Sequence, residues 1–151
     1  MDEVTREIAA LVRPAKHRFV AGPVFDWEEL KIVGGPAPLR VDEGWLVLLH
    51  GVTGSVIGSA FVPHENVHYV AGALLLDAKS PSRVIARTIE PLLVPETEGE
   101  TAGVVANVVF PTAIEKIDGV HYVFYRMADS KIGVARLRRL ETTPRWAEVA
   151  I

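Results

Sequence analysis

Short apolar runs, separated by glycine, proline and aspartate, fill most of the chain after residue 16. They are rich in valine, isoleucine, leucine and aromatic residues, a composition typical of β-strands. The runs predicted to form strands are 17–22, 38–41, 44–51, 55–62, 67–77, 83–86, 91–95, 103–117, 119–127 and 131–140. So many short strands in one domain predict an all-β fold, such as a sandwich, a barrel or a propeller.

Two turn sequences support the strand prediction. Asp42-Glu43-Gly44 separates two apolar runs, and Asp118-Gly119 is a hairpin signal because both of its positions tolerate a positive φ angle. The runs LVLLH (46–50) and ALLLD (73–77) are apolar at consecutive positions, as in strands covered on both faces. The pattern therefore favours stacked sheets, as in the blades of a propeller.

Helical spacing of apolar residues occurs near the start of the chain. Residues 4–12 place apolar side chains on one helical face, and Pro14 would end a helix there. No low-complexity linker divides the remaining sequence. We therefore predict an N-terminal segment with a short helix (1–26), a β domain (27–140) and a C-terminal tail (141–151).

Composition narrows the classes of function. The 151 residues are 49% apolar and 23% charged with a net charge of −3, which predicts a soluble globular domain. There is no basic excess to indicate a nucleic-acid partner. The sequence has no cysteine, which fits a reducing compartment, and no apolar run long enough to span a membrane. We predict a cytoplasmic protein with no membrane or nucleic-acid partner.

One short motif suggests a metal. His64-Glu65-Asn66-Val67-His68 matches the H-E-x-x-H pattern, in which two histidines share a helix face and bind zinc. Asn66, Val67 and the residues that follow are mediocre or poor helix formers, so the local sequence favours a strand instead, and extended backbone would place the histidines about 13 Å apart. A third ligand is unassigned among Glu90, Glu96 and His121. A zinc hydrolase stays an alternative, but two loop histidines before a buried strand are favoured.

Three longer segments, taken in order, resemble a known family. They are KIVGGPAPLRVDEGWLVLLHGV (31–52), YVAGALLLDAKSPSRVIARTIEPLLVPETEGETAGVVANVVFP (69–111) and FYRMADSKIGVA (124–135). The combination resembles glycoside hydrolase family 130, the mannoside phosphorylases and related β-mannosidases, which fold as five-bladed β-propellers. The resemblance covers about residues 27–136 and implies the C-terminal half of the domain, a partial propeller of antiparallel blades.

The resemblance also implies a set of site residues. Lys31 and His50 match phosphate-binding positions of the family, and Asp129 matches an aspartate that binds the sugar. Asn107 and Tyr125 lie in the matched segments and are expected to support the pocket. Inorganic phosphate would then be a co-substrate, with no other cofactor, and a manno-oligosaccharide or another small glycoside would be the ligand. Basic side chains suit an anion, and a carboxylate suits sugar hydroxyls.

Several positions depart from the family pattern. The Glu-Asp-Pro-Arg segment that carries the general acid has no counterpart here, nor do the phosphate-binding arginines of the early blades. Val33 replaces a glycine, Val70 replaces an arginine, and Arg126-Met127 replaces a glycine-alanine pair near the sugar aspartate. Residues 53–68 resemble an inserted hairpin. The catalytic acid is therefore unknown, and the chain alone is expected to be weakly active or inactive.

Two further alternatives stay open from the sequence. The acid comes from another residue of this chain (Asp26, Glu98 or Glu100) or from a separate chain. Alternatively, the protein is a non-catalytic carbohydrate- or phosphate-binding module. In either case a half-propeller exposes sheet edges and apolar surface, so we expect a homodimer or a partner chain that completes the propeller.

Overall fold

The computed structural model describes residues 17–55, 66–138 and 146–148. These residues form two antiparallel sheets, which confirms the all-β prediction. The strands are β1 (Lys31–Gly34), β2 (Leu39–Val41), β3 (Gly44–Thr53), β4 (His68–Leu76), β5 (Val84–Thr88), β6 (Val109–Ile117), β7 (Val120–Met127), β8 (Lys131–Leu137) and β9 (Trp146–Glu148). A 3-10 turn (Asp26–Glu28) precedes β1, and a one-turn helix, α1 (Glu98–Thr101), lies between β5 and β6.

The first sheet is built around the β3–β4 pair. Its strand order is β1-β3-β4-β5-β9, with β2 also paired to β3. The β3–β4 ladder runs from Trp45 opposite Leu76 to Thr53 opposite His68. Successive residues of a strand point to opposite faces, so Leu48 and Leu49 enter different clusters. This explains the continuous apolar runs of β3 and β4, since both faces of this sheet are covered.

The second sheet is the hairpin series β6-β7-β8. Asp118 and Gly119 connect β6 to β7 with φ angles of 50° and 81°, which confirms the predicted hairpin. A second turn with positive φ angles, at Ala128 (46°) and Asp129 (54°), connects β7 to β8. There the Ser130 N–H donates to the Met127 carbonyl at 3.1 Å. Both turns match the right-handed twist of antiparallel strands.

The core lies between the two sheets. Leu48 and Ala73 of the first sheet pack against Val123 of the second. Ala71 likewise packs with Val109 and Tyr125. Burial of each large apolar side chain stabilises the fold by about 1.5–3 kcal/mol. The core therefore fixes the β3–β4 pair against β6 and β7, the elements that carry most of the candidate site.

The outer face of the first sheet is covered by Trp27. Its indole lies on two glycines of adjacent strands, so that an added Cβ would come within 2.5 Å of the ring at Gly51 and 2.4 Å at Gly72. The indole Nε1–H donates to the Ile89 carbonyl at 2.8 Å. The two glycines therefore make room for the aromatic ring, and any side chain there would displace it.

Several predicted elements differ from the structure. Residues 17–22 and 91–95 are not strands, although Leu93 forms an isolated bridge to Ala71. The predicted strand 103–117 begins only at Val109, since Asn107 has a positive φ angle of 60° that interrupts extended backbone. β1, β9, α1 and the 3-10 turn were not predicted. Their brevity explains this, because three or four residues show little periodicity.

Other predictions fall outside the described residues. These are the helix at 4–12, nearly all of the strand at 55–62 and most of the C-terminal tail. The domain boundaries after residues 26 and 140 stay predictions. None of the helices within the described residues is long and apolar enough to cross a membrane.

Candidate functional site

His50 lies near the end of β3 and is the most enclosed of the predicted site residues. It is 1% exposed, and its ring centroid lies 3.9 Å from that of Phe110 and 5.6 Å from that of Tyr69. Its Nδ1 is buried and has no hydrogen-bond partner among the described residues. Burial lowers the pKa of His50 to about 4, and the positive charge of Lys31 adds to this effect.

Lys31 begins β1 and is exposed. In the β1–β3 register Lys31 lies opposite Val52, and Val33 lies opposite His50. Lys31 and His50 therefore point to the same face as diagonal neighbours, with Cα atoms about 7–8 Å apart. The positive charge of Lys31 lowers the pKa of His50 further, as expected of neighbours on one face of a sheet. The structure thus brings the two predicted phosphate residues together.

Tyr69 is a site residue that sequence reasoning missed. In β4 it lies opposite Val52, which places its ring on the face of Lys31 and beside His50. Burial raises the pKa of its phenol, and the negative charge of Asp129 raises it further. Tyr69 is therefore in ring contact with His50 and close enough to Asp129 for that carboxylate to affect its phenol. The β3–β4 register reveals this placement, and the register is not visible in the sequence.

Asp129 lies in the turn between β7 and β8 and is more exposed. Its Oδ1 accepts a hydrogen bond from Nη1 of Arg126 at 2.9 Å, with side-chain exposures of 37% for Asp129 and 57% for Arg126. The two residues line a shallow, open depression together with Ser130, Lys131 and Ile132. The carboxylate predicted to bind sugar therefore already has a cationic partner, which is the arginine that departs from the family pattern.

The two predicted supporting residues act through other groups. The Asn107 carbonyl accepts the backbone N–H of Tyr69 at 2.9 Å, and the left-handed backbone of Asn107 aims it there. The Tyr125 hydroxyl donates to Oε1 of Glu100 at 2.8 Å, and its ring covers Gly133. Burial raises the pKa of Tyr125 to about 12, with further contributions from this hydrogen bond and from the charge of Glu100.

Glu100 was one of the residues considered as a replacement acid. Burial raises the pKa of its carboxyl, but backbone N–H bonds from Thr97 and Glu96 and the Tyr125 hydroxyl outweigh this and lower the pKa. Its Oε2 accepts both N–H groups, at 2.8 Å and 2.9 Å. The carboxylate is therefore ionised and occupied in capping α1, which makes it a poor proton donor. The other two candidates, Asp26 and Glu98, are exposed.

The zinc alternative receives no support at its second histidine. His68 is an exposed residue that begins β4 opposite Thr53, so its backbone is a strand rather than the required helix. His64 and Glu65 lie outside the described residues. Across residues 17–55 and 66–138, no three histidine, aspartate or glutamate side chains form a group that could hold a metal.

A buried ion pair lies behind the site. Nη2 of Arg87 in β5 donates to Oε1 and Oε2 of Glu28 at 2.6 Å and 2.8 Å. Oε2 also accepts the N–H groups of Val24 and Phe25, and Arg87 donates to the Gly22 carbonyl. The pair fastens the segment before β1 to the first sheet, and thereby the start of the strand that carries the candidate phosphate lysine. Sequence analysis missed it because the partners are far apart in the chain.

Comparison with known proteins agrees with the sequence resemblance. A family model described as beta-1,4-mannooligosaccharide phosphorylase matches residues 17–142, which is most of the chain. The chain belongs to glycoside hydrolase family 130. The match includes every residue assigned to the candidate site, from Lys31 to Asp129.

Individual family 130 relatives are similar over the same region. A beta-1,2-mannobiose phosphorylase of Thermoanaerobacter sp. (strain X514) is 42% identical over 114 residues, covering 75% of this chain and 34% of the relative. A beta-1,4-mannooligosaccharide phosphorylase of Ruminococcus albus is 38% identical, covering 80% and 34%. The solved beta-1,2-mannobiose phosphorylase of Listeria innocua, in complex with beta-1,2-mannobiose, superposes with a TM-score of 0.64 at 30% identity, covering 75% and 29%.

The chain thus spans about a third of the length of the relatives it matches. Family membership and the fold of the matched region follow from these comparisons. The activity, ligands and partners of a whole family 130 protein are matters for proposal.

Proposed function

We propose that this chain is the phosphate- and mannoside-binding part of a family 130 protein, with its two sheets as blades of a partial five-bladed propeller. One observation carries the proposal. Lys31, His50 and Tyr69 share one face of the first sheet, and the negative charge of Asp129 raises the pKa of the Tyr69 phenol. A cationic group thus shares the face of Tyr69, and a carboxylate lies near enough to affect its phenol. The names of the relatives, which are phosphorylases of mannosides, support the ligand class.

Each side chain has a chemical role in this proposal. Lys31 supplies positive charge for phosphate, while His50 and Tyr69 offer hydrogen bonds. Asp129 accepts hydrogen bonds from sugar hydroxyls and thereby orients the ring. In inverting phosphorolysis, a phosphate oxygen bonds to the anomeric carbon as the glycosidic C–O bond breaks on the opposite face. The leaving oxygen then takes a proton from a general acid.

That acid is the missing part of the proposed machinery. Glu100, buried near Tyr125, is held ionised by its hydrogen bonds. Loss of general-acid catalysis costs about 10²–10⁴-fold in rate. We therefore expect binding of phosphate and mannoside with weak or no turnover by the chain alone, unless another residue or another chain supplies the proton. A purely binding module is the second candidate, favoured by this engagement of Glu100.

Calorimetry and a turnover assay test the proposal together. Purified protein is titrated with phosphate and with beta-1,2-mannobiose, and release of mannose 1-phosphate is followed in parallel. Lys31→Ala should weaken phosphate binding about tenfold or more, since it removes a charge-assisted contact. Lys116→Ala is the matched control, because Lys116 lies near the far end of β6, about 20 Å along the strand from Phe110.

The outcomes separate the candidates. Binding with mannose 1-phosphate release that disappears in Lys31→Ala supports an enzyme. Binding without release supports the binding module. If neither ligand binds to the wild-type chain, or if Lys116→Ala weakens binding as much as Lys31→Ala, the assignment of this face as the anion site is wrong.

A second copy is proposed as the partner. β8 is an edge strand of the second sheet, and on its outer face Ile132 is 79% exposed and Val134 57% exposed. Their cross-strand neighbours, Arg126 and Phe124, lie on the same face. In a propeller such a face packs against the next blade, and here a two-fold dimer would cover it. Light scattering should report a dimer that Ile132→Glu dissociates and Phe19→Glu, at an exposed position in the segment before β1, does not. A monomeric wild-type protein would contradict this.

A further inference from the structure

The surroundings of His50 disfavour a positive charge on its ring. Phe110 of β6 and Tyr69 of β4 flank the imidazole, and its register neighbours, Val33 and Ala71, are apolar. Among the described residues, the charge that acts on His50 is the Lys31 ammonium of β1, and the Asp129 carboxylate of the β7–β8 turn acts on the neighbouring Tyr69. The group that acts directly on His50 is thus a cation, which opposes a second positive charge.

Hydrogen bonding leads to the same conclusion. An imidazolium donates from both nitrogens, but the buried Nδ1 finds no partner among the described residues. A buried N–H without an acceptor is rarer in proteins than an acceptor without a donor. Nδ1 is therefore better left unprotonated, and the proton of a neutral ring then belongs on Nε2. The lowering of the pKa of His50 to about 4 agrees with this geometry.

We infer that His50 serves the anion site as a neutral imidazole that donates one hydrogen bond from Nε2, while Lys31 supplies the positive charge. The inference rests on the proposed function for its ligand, a tetrahedral oxyanion such as phosphate. The two basic residues then have different roles: Lys31 provides the positive charge, and His50 provides a hydrogen-bond donor of fixed orientation. Oxyanion affinity should then not require protonation of His50 anywhere between about pH 5 and pH 8.

The first test needs no ligand. The ring nitrogens and carbons of the five histidines are followed by NMR as pH is varied, with His50 assigned by the loss of its signals in His50→Gln. We expect the His50 signals to stay those of a neutral ring with its proton on Nε2 down to about pH 5. A midpoint near the ordinary value of 6.5, or a proton on Nδ1, would overturn the inference even if phosphate binds.

The second test asks which nitrogen the ligand uses. A glutamine amide can place an N–H near the position of Nε2, whereas an asparagine amide reaches only the position of Nδ1. We expect His50→Gln to bind phosphate within about threefold of wild type and His50→Asn to lose about tenfold or more, since a hydrogen bond to an anion is lost. Circular dichroism checks that both variants are folded. Stronger binding by the folded asparagine variant than by the glutamine variant contradicts the inference.

Sulfate is the control ligand for pH, because it stays a dianion over the range in which phosphate itself titrates. Sulfate affinity of the wild-type protein should change less than about threefold between pH 5 and pH 8. A tenfold fall with rising pH would show that a protonated histidine is required, and so overturn the inference. If wild type binds neither anion, the proposed function fails, and the NMR titration alone decides the state of His50.

Discussion

Two arginine–carboxylate pairs of this chain have the same chemistry in opposite surroundings. Arg87 and Glu28 are 7% and 1% exposed, and the carboxylate also accepts backbone N–H groups. Arg126 and Asp129 are 57% and 37% exposed and share one hydrogen bond of 2.9 Å. The buried pair joins the segment before β1 to β5, whereas the exposed pair lies in the depression where a sugar is proposed to bind.

The contrast shows that burial decides whether a charged side chain stabilises the fold or can bind a ligand. Every oxygen of Glu28 is used inside the protein, so this carboxylate has nothing to offer a ligand. Asp129 is bonded through one oxygen at an open surface, where an ion pair contributes only about 0–1 kcal/mol and partners exchange readily. His50 is an intermediate case, because it is as buried as Glu28 but its Nδ1 has no partner among the described residues.

Breaking the buried pair should have the largest effect. Arg87→Met leaves the Glu28 carboxylate buried without its cation, which typically costs about 3–5 kcal/mol of the free energy of unfolding. Urea denaturation measures the change. The double variant Glu28→Gln/Arg87→Met should recover part of the loss, because no uncompensated charge stays inside. A single variant within about 1 kcal/mol of wild type would mean that the Glu28 carboxylate is hydrated in solution rather than buried.

Lowering the pH should destabilise the folded protein, because His50 is buried where a protonated ring is unfavourable. Its folded-state pKa of about 4 lies below the ordinary value of 6.5. Above 6.5 the ring is neutral in both states, and its contribution to stability does not vary. As the pH falls toward 4, the unfolded state takes up a proton that the folded state does not, so stability is lost. The loss should reach about 2 kcal/mol by pH 5.

The matched variant for this pH dependence is His50→Gln, which cannot titrate. Its free energy of unfolding, measured by urea denaturation at the same pH values, should fall less between neutral pH and about pH 5. If the two proteins lose stability in parallel over this range, the acid sensitivity arises from other groups.

Glu100 is a buried carboxylate whose hydrogen-bond donors among the described residues are neutral groups, and removing one of these donors should have a smaller effect on stability. Tyr125→Phe removes the hydroxyl that donates to Glu100, while the N–H bonds from Thr97 and Glu96 stay. We expect a loss of roughly 1–2 kcal/mol in the free energy of unfolding. The pKa of Glu100 should also rise toward its ordinary value, so the variant should lose less stability than wild type on acidification below that value. Tyr122→Phe is the control, on the opposite face of β7, and an equal loss there would exclude the Glu100 bond as the cause.

Sequence reasoning succeeded where local chemistry decides the structure. Asp118-Gly119 formed its hairpin because a two-residue turn with positive φ angles depends on those residues alone. The apolar runs of β3 and β4 likewise predicted strands covered on both faces. The resemblance to family 130 selected Lys31 and His50, which lie on one face of the first sheet, while the ligand-binding roles of Lys31, His50 and Asp129 stay predictions.

Sequence reasoning failed where the alignment of strands that are distant in the chain decides which residues are in contact. Tyr69 and Phe110 meet His50 only because of how β3, β4 and β6 align. Glu28 and Arg87 are 59 residues apart, and no local pattern pairs them. Short elements such as β1 were also missed, since their pairing with a long neighbour, rather than their own sequence, makes them strands.

Removing Arg126 should have the smallest effect on the free energy of unfolding, but it should change the affinity for mannobiose. Arg126→Ala breaks an exposed pair, so the free energy of unfolding should shift by less than about 1 kcal/mol. Asp129 would then be free to accept sugar hydroxyls, and we expect mannobiose affinity to rise by up to about fivefold, because the competing contact is worth no more than that. Lys131→Ala, which removes another cation of the same depression, is the control. Weaker mannobiose binding in Arg126→Ala, with Lys131→Ala unchanged, would instead show that the guanidinium itself holds the sugar, and that this departure from the family pattern is part of the binding site.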